Sequence, residues 1–406
     1  MKILELKEYI KSHWSDTVRL ERKGNDRLVG LPYEYFVPSI TGMFQEMYYW
    51  DTFFSAKGLF LSGREALVKN SVDDMFYLVD KFGYMPNGSH MGLISRSQPP
   101  FLCMMVSDVY DGYKDNVWLR TAYEMLKKEY DFWMTERITP SGLNRYGYIP
   151  KRGNPDEDLK MIKWRLSGYD FSGRSDQDIV ENVMCDAESG WDFNPRCDMH
   201  QTEFNYVDLN SNLYIYEMKL SEFAKILNTG EEEKFAAAAK ARKEKIRSLM
   251  FDGEKFLDYN YKTGEHSRVF TCASFFPLWA KAASEKEAES TVSNLKRIEC
   301  DFGVAACEKG ERNGVIYQWD YPNGWAPLHY IVVHALDNYG YREDAARIAE
   351  KYTGSMEKIF AETGTLWEKY NVVDGSIRVN DEYKMPEMLG WTAGVYLDLL
   401  NYLGKL

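Results

Sequence analysis

The chain of 406 residues is long enough for one large domain or two to three ordinary ones, and its 45% hydrophobic and 28% charged residues exclude wholesale disorder. Its 62 acidic residues exceed its 50 basic residues by 12, and it has no long run of Lys or Arg, so we expect no nucleic acid and no anionic membrane as a partner. Aromatic residues reach 15% of the chain, and such side chains can stack on ligands as well as fill cores.

The first sixteen residues alternate charges with apolar residues and hold no apolar run of the length that a secretory signal has. No window approaches about 18 consecutive apolar residues, so the sequence predicts no membrane span. The six cysteines are scattered over the chain, a pattern typical of reduced thiols in the cytosol. We therefore expect a cytoplasmic protein.

Most of the hydrophobic periodicity is helical. Apolar residues three or four positions apart predict helices over 68–79, 118–133, 209–227 and 235–250, with further helical stretches near 285–298, 326–338, 343–353 and 391–403. Gly83 and Gly230 are predicted to end the first and third of these helices. Arg242 interrupts the apolar stripe of the fourth, and we expect its charge to lie in water.

Strand-like alternation is rare, and the best case is a short hairpin of residues 255–261 and 266–271. Residues 137–206 form a long segment with little periodicity, whose aromatic residues indicate that it packs against the rest. No Gly/Ser/Pro-rich linker divides the chain, so we expect a single domain over residues 1–406. The consecutive helices predict antiparallel hairpins, but periodicity alone leaves a bundle and a barrel open.

Three Trp-Asp dipeptides lie in Gly-rich or aromatic stretches, at residues 50–51, 191–192 and 319–320. An indole ring can cover the apolar face of a sugar while a neighbouring carboxylate accepts hydrogen bonds from its hydroxyls. One such dipeptide is more simply a buried Trp with a loop-capping Asp. Three of them favour a shared aromatic and acidic pocket.

Hydrolysis of a glycosidic bond needs two carboxyl groups in different surroundings. Asp192 lies between Trp191 and Phe193, an apolar setting that favours the protonated form, and Glu368 lies beside Trp367. Any single one of the 62 acids is most simply a solvated surface charge, so the residues alone do not select this pair.

Other chemistries lack their motifs, because the sequence has no HExxH, no CxxC pair, no P-loop, no GxGxxG and no GxSxG. Cys197 and His200 have a spacing that metal ligands can have, but no second pair accompanies them, so a structural role is preferred.

Four segments of the chain resemble segments of the trehalase family, in the family's order and over about residues 32–400. They are FQEMYYWDTFF at 44–54, the stretch ending in RSQPP at 86–100, ESGWDF at 188–193 followed by VDLN at 207–210, and QWDYPNGWAP at 318–327. The resemblance implies an all-α fold, a single (α/α)6 barrel of six helical hairpins with long loops around a pocket at one end. It also implies an inverting glycoside hydrolase that needs no metal or organic cofactor and acts on a small carbohydrate.

The same resemblance implies roles for individual residues. Asp192 of ESGWDF resembles the family's general acid, and Glu368 of the EKY motif resembles its general base. The substrate-binding residues that it implies are Phe44, Trp50, Asp51, Asn87, Arg96, Arg174, Asp176, Trp319, Trp325 and Glu382. Arg174 and Asp176 stand where the family has Arg-Pro-Glu, although this chain has Arg-Ser-Asp.

The chain also departs from the family pattern. Met43 replaces a substrate-binding arginine, Gln45 replaces a second arginine, and Pro386 replaces a late glutamine. We expect the substrate to be trehalose or a closely related small α-glucoside. The alternatives are another small glycoside, such as a glucosyl- or mannosylglycerate, and an inactive sugar-binding barrel. The sequence predicts no oligomeric state.

Overall fold

The computed structural model of the protein describes residues 2–406, and helices dominate it. The α-helices of these residues are α1 (Lys2–His13), α2 (Tyr49–Leu61), α3 (Glu65–Phe82), α4 (Leu102–Tyr113), α5 (Asn116–Glu136), α6 (Pro155–Arg165), α7 (Asp176–Ser189), α8 (Val207–Leu227), α9 (Glu232–Leu249), α10 (Phe276–Trp279), α11 (Glu285–Val292), α12 (Ala326–Asn338), α13 (Arg342–Thr363) and α14 (Gly390–Tyr402).

The β-strands are short and form four antiparallel pairs. They are β1 (Val18–Arg19) with β2 (Tyr35–Phe36), β3 (Phe204–Asn205) with β4 (Tyr259–Asn260), β5 (Glu299–Cys300) with β6 (Gly303–Val304), and β7 (Asn323–Trp325) with β8 (Lys369–Asn371).

Inner and outer helices alternate to give an (α/α)6 barrel. The inner helices are α2, α4, α8, α10, α12 and α14, and the outer helices are α1, α3, α5, α9, α11 and α13. The ring closes where α14 packs against α2. There a Cβ added to Gly58 would lie 2.8 Å from the Cα of Gly394, so only glycine permits this close approach of the two helices.

The structure confirms the helices that periodicity predicts, although the α-helix of the stretch near 285–298 ends at Val292 and only a 3-10 turn follows it at Leu295–Arg297. Helix α3 ends where the sequence predicts, because Gly83 takes the left-handed conformation with φ of 87°. Helix α8 ends at Leu227, three residues before Gly230, because Asn228, with φ of 52°, takes the left-handed cap position instead. Helix α13 runs well beyond the predicted stretch of 343–353, to Thr363.

The long segment 137–206 contains two helices that its weak periodicity conceals. Helix α6 begins after Asn154, whose side chain accepts from the backbone of Glu157, and its first turn is acidic. Helix α7 begins after Ser175, which caps the backbone N–H of Asp178, and it ends at Gly190. The capping residues were therefore the better signal, because they mark helix ends whether or not a helix has one clean apolar face.

Two other expectations are wrong. The hairpin of residues 255–261 and 266–271 is much shorter than expected and has one bridge, between Tyr259 and His266, while Tyr259 also pairs with Asn205 of β3 on its other side. Arg242 does not reach water. It is only 4% exposed, and its guanidinium Nη2 lies 2.8 Å from a carboxylate oxygen of Glu217 on α8.

Candidate active site

The candidate residues meet at the N-terminal ends of the inner helices. Asp51 lies in the first turn of α2, Trp325 immediately precedes α12, and the loop before α14 carries Glu368 and Glu382. Asp192 lies in the loop between α7 and α8. Inner helices of such a barrel run in one direction, so these segments share one end of it, and the carboxyl group of Asp51 lies within electrostatic range of both Glu368 and Asp192.

Asp192 is held by an arginine that the sequence motifs do not mark. Nη1 of Arg165 donates to Oδ2 of Asp192 at 2.6 Å, and Nη2 donates to the backbone carbonyl of Asp192 at 2.7 Å. The Asp192 side chain remains 31% exposed. The apolar surroundings expected from Trp191 and Phe193 are therefore wrong, because the guanidinium of Arg165 lies against this carboxyl group.

Glu382 binds the other side of the same arginine. Its Oε2 accepts from Nε of Arg165 at 2.9 Å, and its Oε1 accepts from the backbone N–H groups of Phe193 at 3.3 Å and Gln318 at 3.1 Å. Burial raises the pKa of Glu382 to about 7, although Arg165 opposes the shift. Both oxygens of Glu382 are thus engaged by the protein, which ties the Asp192 loop to the loop before α12.

Glu368 accepts one hydrogen bond on each carboxylate oxygen. The hydroxyl of Tyr383 donates to Oε1 at 2.6 Å, and Nζ of Lys369 donates to Oε2 at 2.8 Å. The side chain of Glu368 is 3% exposed, and that of Lys369 is fully buried. A carboxylate with a donor on each oxygen is fixed in orientation, and a general base must be positioned in this way.

Asp51 is the third carboxyl group of the cluster. Its burial raises its pKa to about 8, and the nearby charges of Glu368 and Asp192 add to the shift. At neutral pH the carboxyl group of Asp51 is therefore mostly protonated and can donate a hydrogen bond as well as accept one.

Arg96 and Asn87 lie on the RSQPP side of the cluster. The amide nitrogen of Asn87 donates to the carbonyls of Ser97 and Ala187 at 3.3 Å each. Nε of Arg96 is buried and has no hydrogen-bond partner in the described part of the chain, and burial lowers the pKa of this arginine although Asp192 opposes the shift. An unpartnered guanidinium N–H near Asp192 is available to a ligand hydroxyl.

Buried tryptophans line this part of the barrel. The rings of Trp319 and Trp325 stack at 3.7 Å with an angle of 3° between their planes, and Trp50 lies 5.7 Å from Trp319. The ring of Trp50 packs on Gly190, where a Cβ would lie 2.7 Å away, so the glycine of ESGWDF makes room for the tryptophan of YYWD. Phe44 adds a half-buried ring, 6.3 Å from that of Tyr383.

Two of the predicted site residues lie outside the cluster. Arg174 pairs with Asp178 one turn along the chain at 2.8 Å, and Asp176 is 71% exposed and pairs with Lys163 at 3.1 Å. The contact with substrate that the resemblance implies for them stays a prediction, and these ion pairs at the start of α7 give it no support. Arg165 of α6 supplies the guanidinium beside Asp192 instead.

The departures at Met43 and Gln45 leave the rim of the site without arginine at those positions. The Met43 side chain is 47% exposed, and Gln45 accepts a hydrogen bond from Arg19. A cavity of about 670 Å³ elsewhere is lined by residues such as Arg196, His200 and Tyr317, and by none of the candidate catalytic residues.

Within residues 2–406, no three His, Cys, Asp or Glu side chains are grouped as metal ligands would be. In the same part of the chain, no helix has the length and apolar character that a membrane crossing needs.

The barrel, its buried tryptophans and its acidic cluster define a glycoside hydrolase of the (α/α)6 class. The sequence model of the trehalase family matches residues 2–404. The chain belongs to the trehalase family.

Named relatives agree with this membership. Periplasmic trehalases from Xanthomonas campestris pv. campestris and Xanthomonas oryzae pv. oryzae are each 32% identical over 98% of this chain, which covers 73% and 74% of their lengths. The structure of a neutral trehalase from Saccharomyces cerevisiae matches with a TM-score of 0.79 and 27% identity, over 98% of this chain and 80% of that one. A mannosylglycerate hydrolase from Thermus thermophilus, at 16% identity and a TM-score of 0.65, covers 98% of this chain and 100% of its own, and shares the fold alone.

The expectation of a cytoplasmic location is wrong by this comparison. The bacterial relatives are named periplasmic trehalases, and they point to the periplasm instead. Charge alternation in the first sixteen residues and scattered cysteines were therefore a poor guide to location.

Proposed function

We propose that the protein hydrolyses trehalose with inversion at the attacked carbon, with Asp192 as the general acid and Glu368 as the general base. The observation that carries this proposal is the different hydrogen bonding of two carboxyl groups in one pocket. Glu368 is buried and has a neutral and a cationic donor, whereas Asp192 is partly exposed and has a guanidinium beside it. The names of the relatives support trehalose as the substrate.

The proposed reaction is a single displacement. Glu368 takes a proton from water as that water attacks the anomeric carbon, and Asp192 gives its proton to the departing glycosidic oxygen. Asp192 ends the step as a carboxylate, and Arg165 stands 2.6 Å from it to stabilise that charge. Arg165 therefore favours the product side of proton transfer, while Asp192 must be protonated again before the next turnover.

The remaining side chains would bind the sugar. Trp50, Asp51, Asn87 and Arg96 are proposed to hold the glucosyl unit at the cleavage site. Asp51 can donate or accept because its pKa is about 8, and Arg96 has a free N–H. The aromatic walls are proposed to be Phe44, Trp319 and Trp325. Because these residues come from the whole length of the chain, we infer that residues 1–406 act as one catalytic domain.

The anomers of the released glucose test both the substrate and the stereochemistry. Both glucosyl units of trehalose are α-linked, so inversion at one of them releases one β-glucose for each α-glucose. Proton NMR in the first minutes, before mutarotation, should show both anomers in equal amounts. Release of α-glucose alone would indicate retention, and no release from trehalose in a panel of disaccharides and glycosyl acids would exclude it as the substrate.

Substitution tests the two catalytic roles. Asp192→Asn and Glu368→Gln should each lower kcat by about 10²-fold or more with the fold intact, because each removes a proton transfer from the rate-limiting step. The matched control is Asp176→Asn, which neutralises the exposed carboxylate at the start of α7 and should keep nearly the full rate. A rate above about a tenth of the unaltered enzyme in either catalytic variant would rule out that residue's role.

A further inference from the structure

Lys369 is a fully buried cation between two carboxylates. Its ammonium lies 2.8 Å from Oε2 of Glu368 and 2.9 Å from Oδ1 of Asp381, and its side chain has no exposed surface. It also lies over the rings of Trp325, at 5.0 Å, and Tyr383, at 4.9 Å. A lysine without contact to water is stable only when its charge is compensated, so its position is fixed by these four neighbours.

Three consecutive residues of one loop act on different parts of the site. Asp381 pairs with Lys369, Glu382 pairs with Arg165, and Tyr383 donates to Glu368. The side chain of Asp381 is 34% exposed, whereas that of Glu382 is 1% exposed. Asp381 is thus the outer member of a chain of charges that runs from the solvent through Lys369 to Glu368.

The charged and titratable groups around Glu368 come from several elements. Lys369 from β8 and Tyr383 from the loop before α14 are hydrogen-bonded to it, and Asp51 from α2 lies within electrostatic range. Tyr383 is in turn in electrostatic range of Arg165 and Asp192. Among these neighbours Lys369 is the cation that is hydrogen-bonded to Glu368, whereas Asp51 and Tyr383 carry no positive charge.

We propose that Lys369 and Asp381 are a positioning pair that sets the protonation of Glu368. Lys369 keeps Glu368 ionised and fixes its Oε2, and Asp381 weakens this effect by sharing the ammonium. The inference rests on the proposed role of Glu368 as the base. It assigns opposite effects to the two members of one ion pair, which a purely structural ion pair would not have.

The test is the pH dependence of kcat/KM on trehalose for the full-length enzyme and its variants. The acid limb of that profile reports the ionisation of the base in the free enzyme. Lys369→Met should move the acid limb to higher pH by about 1 unit or more, because it removes an opposite charge at hydrogen-bond distance. Asp381→Asn should move the limb to lower pH, because the whole ammonium then acts on Glu368. Lys405→Met, which removes an exposed lysine paired with Glu350, is the control and should not move the limb.

The outcomes separate this inference from the proposed function. If Glu368→Gln is inactive but neither Lys369→Met nor Asp381→Asn moves the acid limb, or if both move it in the same direction, the pair does not set the base. If Glu368→Gln keeps its rate, the proposed base itself is wrong. If Lys369→Met does not fold, the test rests on Asp381→Asn alone, because Asp381 is partly exposed. An acid limb that stays in place or moves to higher pH in Asp381→Asn then overturns the proposal.

Discussion

Arg165 reaches the candidate acid from a helix that carries none of the family's motifs. Its two nitrogens bind the side chain and the backbone of Asp192, and its third binds Glu382. The guanidinium also stacks 4.4 Å from the ring of Phe193. It is therefore held by hydrogen bonds at its edges and by an aromatic ring on its face. One planar cation thereby fixes the loop that follows α7.

Loss of Arg165 should therefore weaken catalysis more than folding. We expect Arg165→Met to lower kcat/KM by about 10- to 150-fold, since a charge-assisted hydrogen bond is worth about 1.5–3 kcal/mol. Steady-state kinetics measure the loss.

The control for this substitution is Arg174→Met, the arginine that the family resemblance implied. Arg174 pairs with Asp178 at the surface, so its loss should change kcat/KM by less than about threefold. An Arg174 variant as impaired as the Arg165 variant would contradict the assignment of these two arginines.

At the scale of helices, a buried arginine joins α9 to α8. Arg242 pairs with Glu217 and also donates to the side-chain oxygens of Asn144, at 2.9 Å, and Asn210, at 2.8 Å. Arg242→Met should lower the free energy of unfolding by about 3–5 kcal/mol, because it leaves the carboxylate of Glu217 buried without a cation. Denaturant unfolding measures the loss.

Arg247 on the same helix offers a matched comparison. It pairs with Glu287 and is 42% exposed, so Arg247→Met should cost no more than about 1 kcal/mol. Equal losses in the Arg242 and Arg247 variants would show that burial does not set the strength of the Arg242 contact.

The sequence could predict those elements whose signal is local. Apolar spacing marked α3, α5, α8, α9 and α12, and family motifs brought together the carboxyl groups of Asp51, Asp192 and Glu368. Helices α6 and α7, which share a small core of their own, were not predicted. Helix α6 buries only Ile162, whereas the apolar spacing of Ile179, Val183 and Ala187 in α7 could have marked that helix. Arg165 escaped as a site residue because its partner Asp192 lies 27 positions away. Lys369 follows Glu368 directly, but its burial and its second partner, Asp381, could not be read from the sequence.

Over the whole molecule, several buried carboxyl groups hold protons that the unfolded chain would release. Burial raises the pKa of Asp51 to about 8 and those of Asp74, Glu129 and Glu382 to about 7. In the unfolded chain these groups titrate near pH 4. The stabilisation that their protonation gives is complete below about pH 4 and is lost as the pH rises through 7 to 8.

We therefore expect the midpoint of thermal unfolding to fall as the pH rises from about 5 to 8. Buried His329, whose pKa is lowered to about 4, makes stability rise with pH instead, but the four carboxyl groups named above outweigh this single histidine. Asp74→Asn should make the fall less steep, because the asparagine that replaces this fully buried carboxyl group does not titrate. Asp74 is not part of the acidic cluster. Scanning calorimetry over this range measures the slope, and a midpoint that rises with pH would contradict the expectation.

The stacked tryptophans near the candidate site also allow sugar binding to be followed by intrinsic fluorescence. Trp50, Trp319 and Trp325 are nearly inaccessible to water, whereas Trp164 on α6 is 64% exposed. Emission from the buried rings is thus set apart from that of Trp164 by its shorter wavelength and by its resistance to quenching with iodide. A sugar placed against Trp50 changes the polarity around that ring, so occupancy of the pocket can be followed by fluorescence without a label, even in variants that no longer turn over.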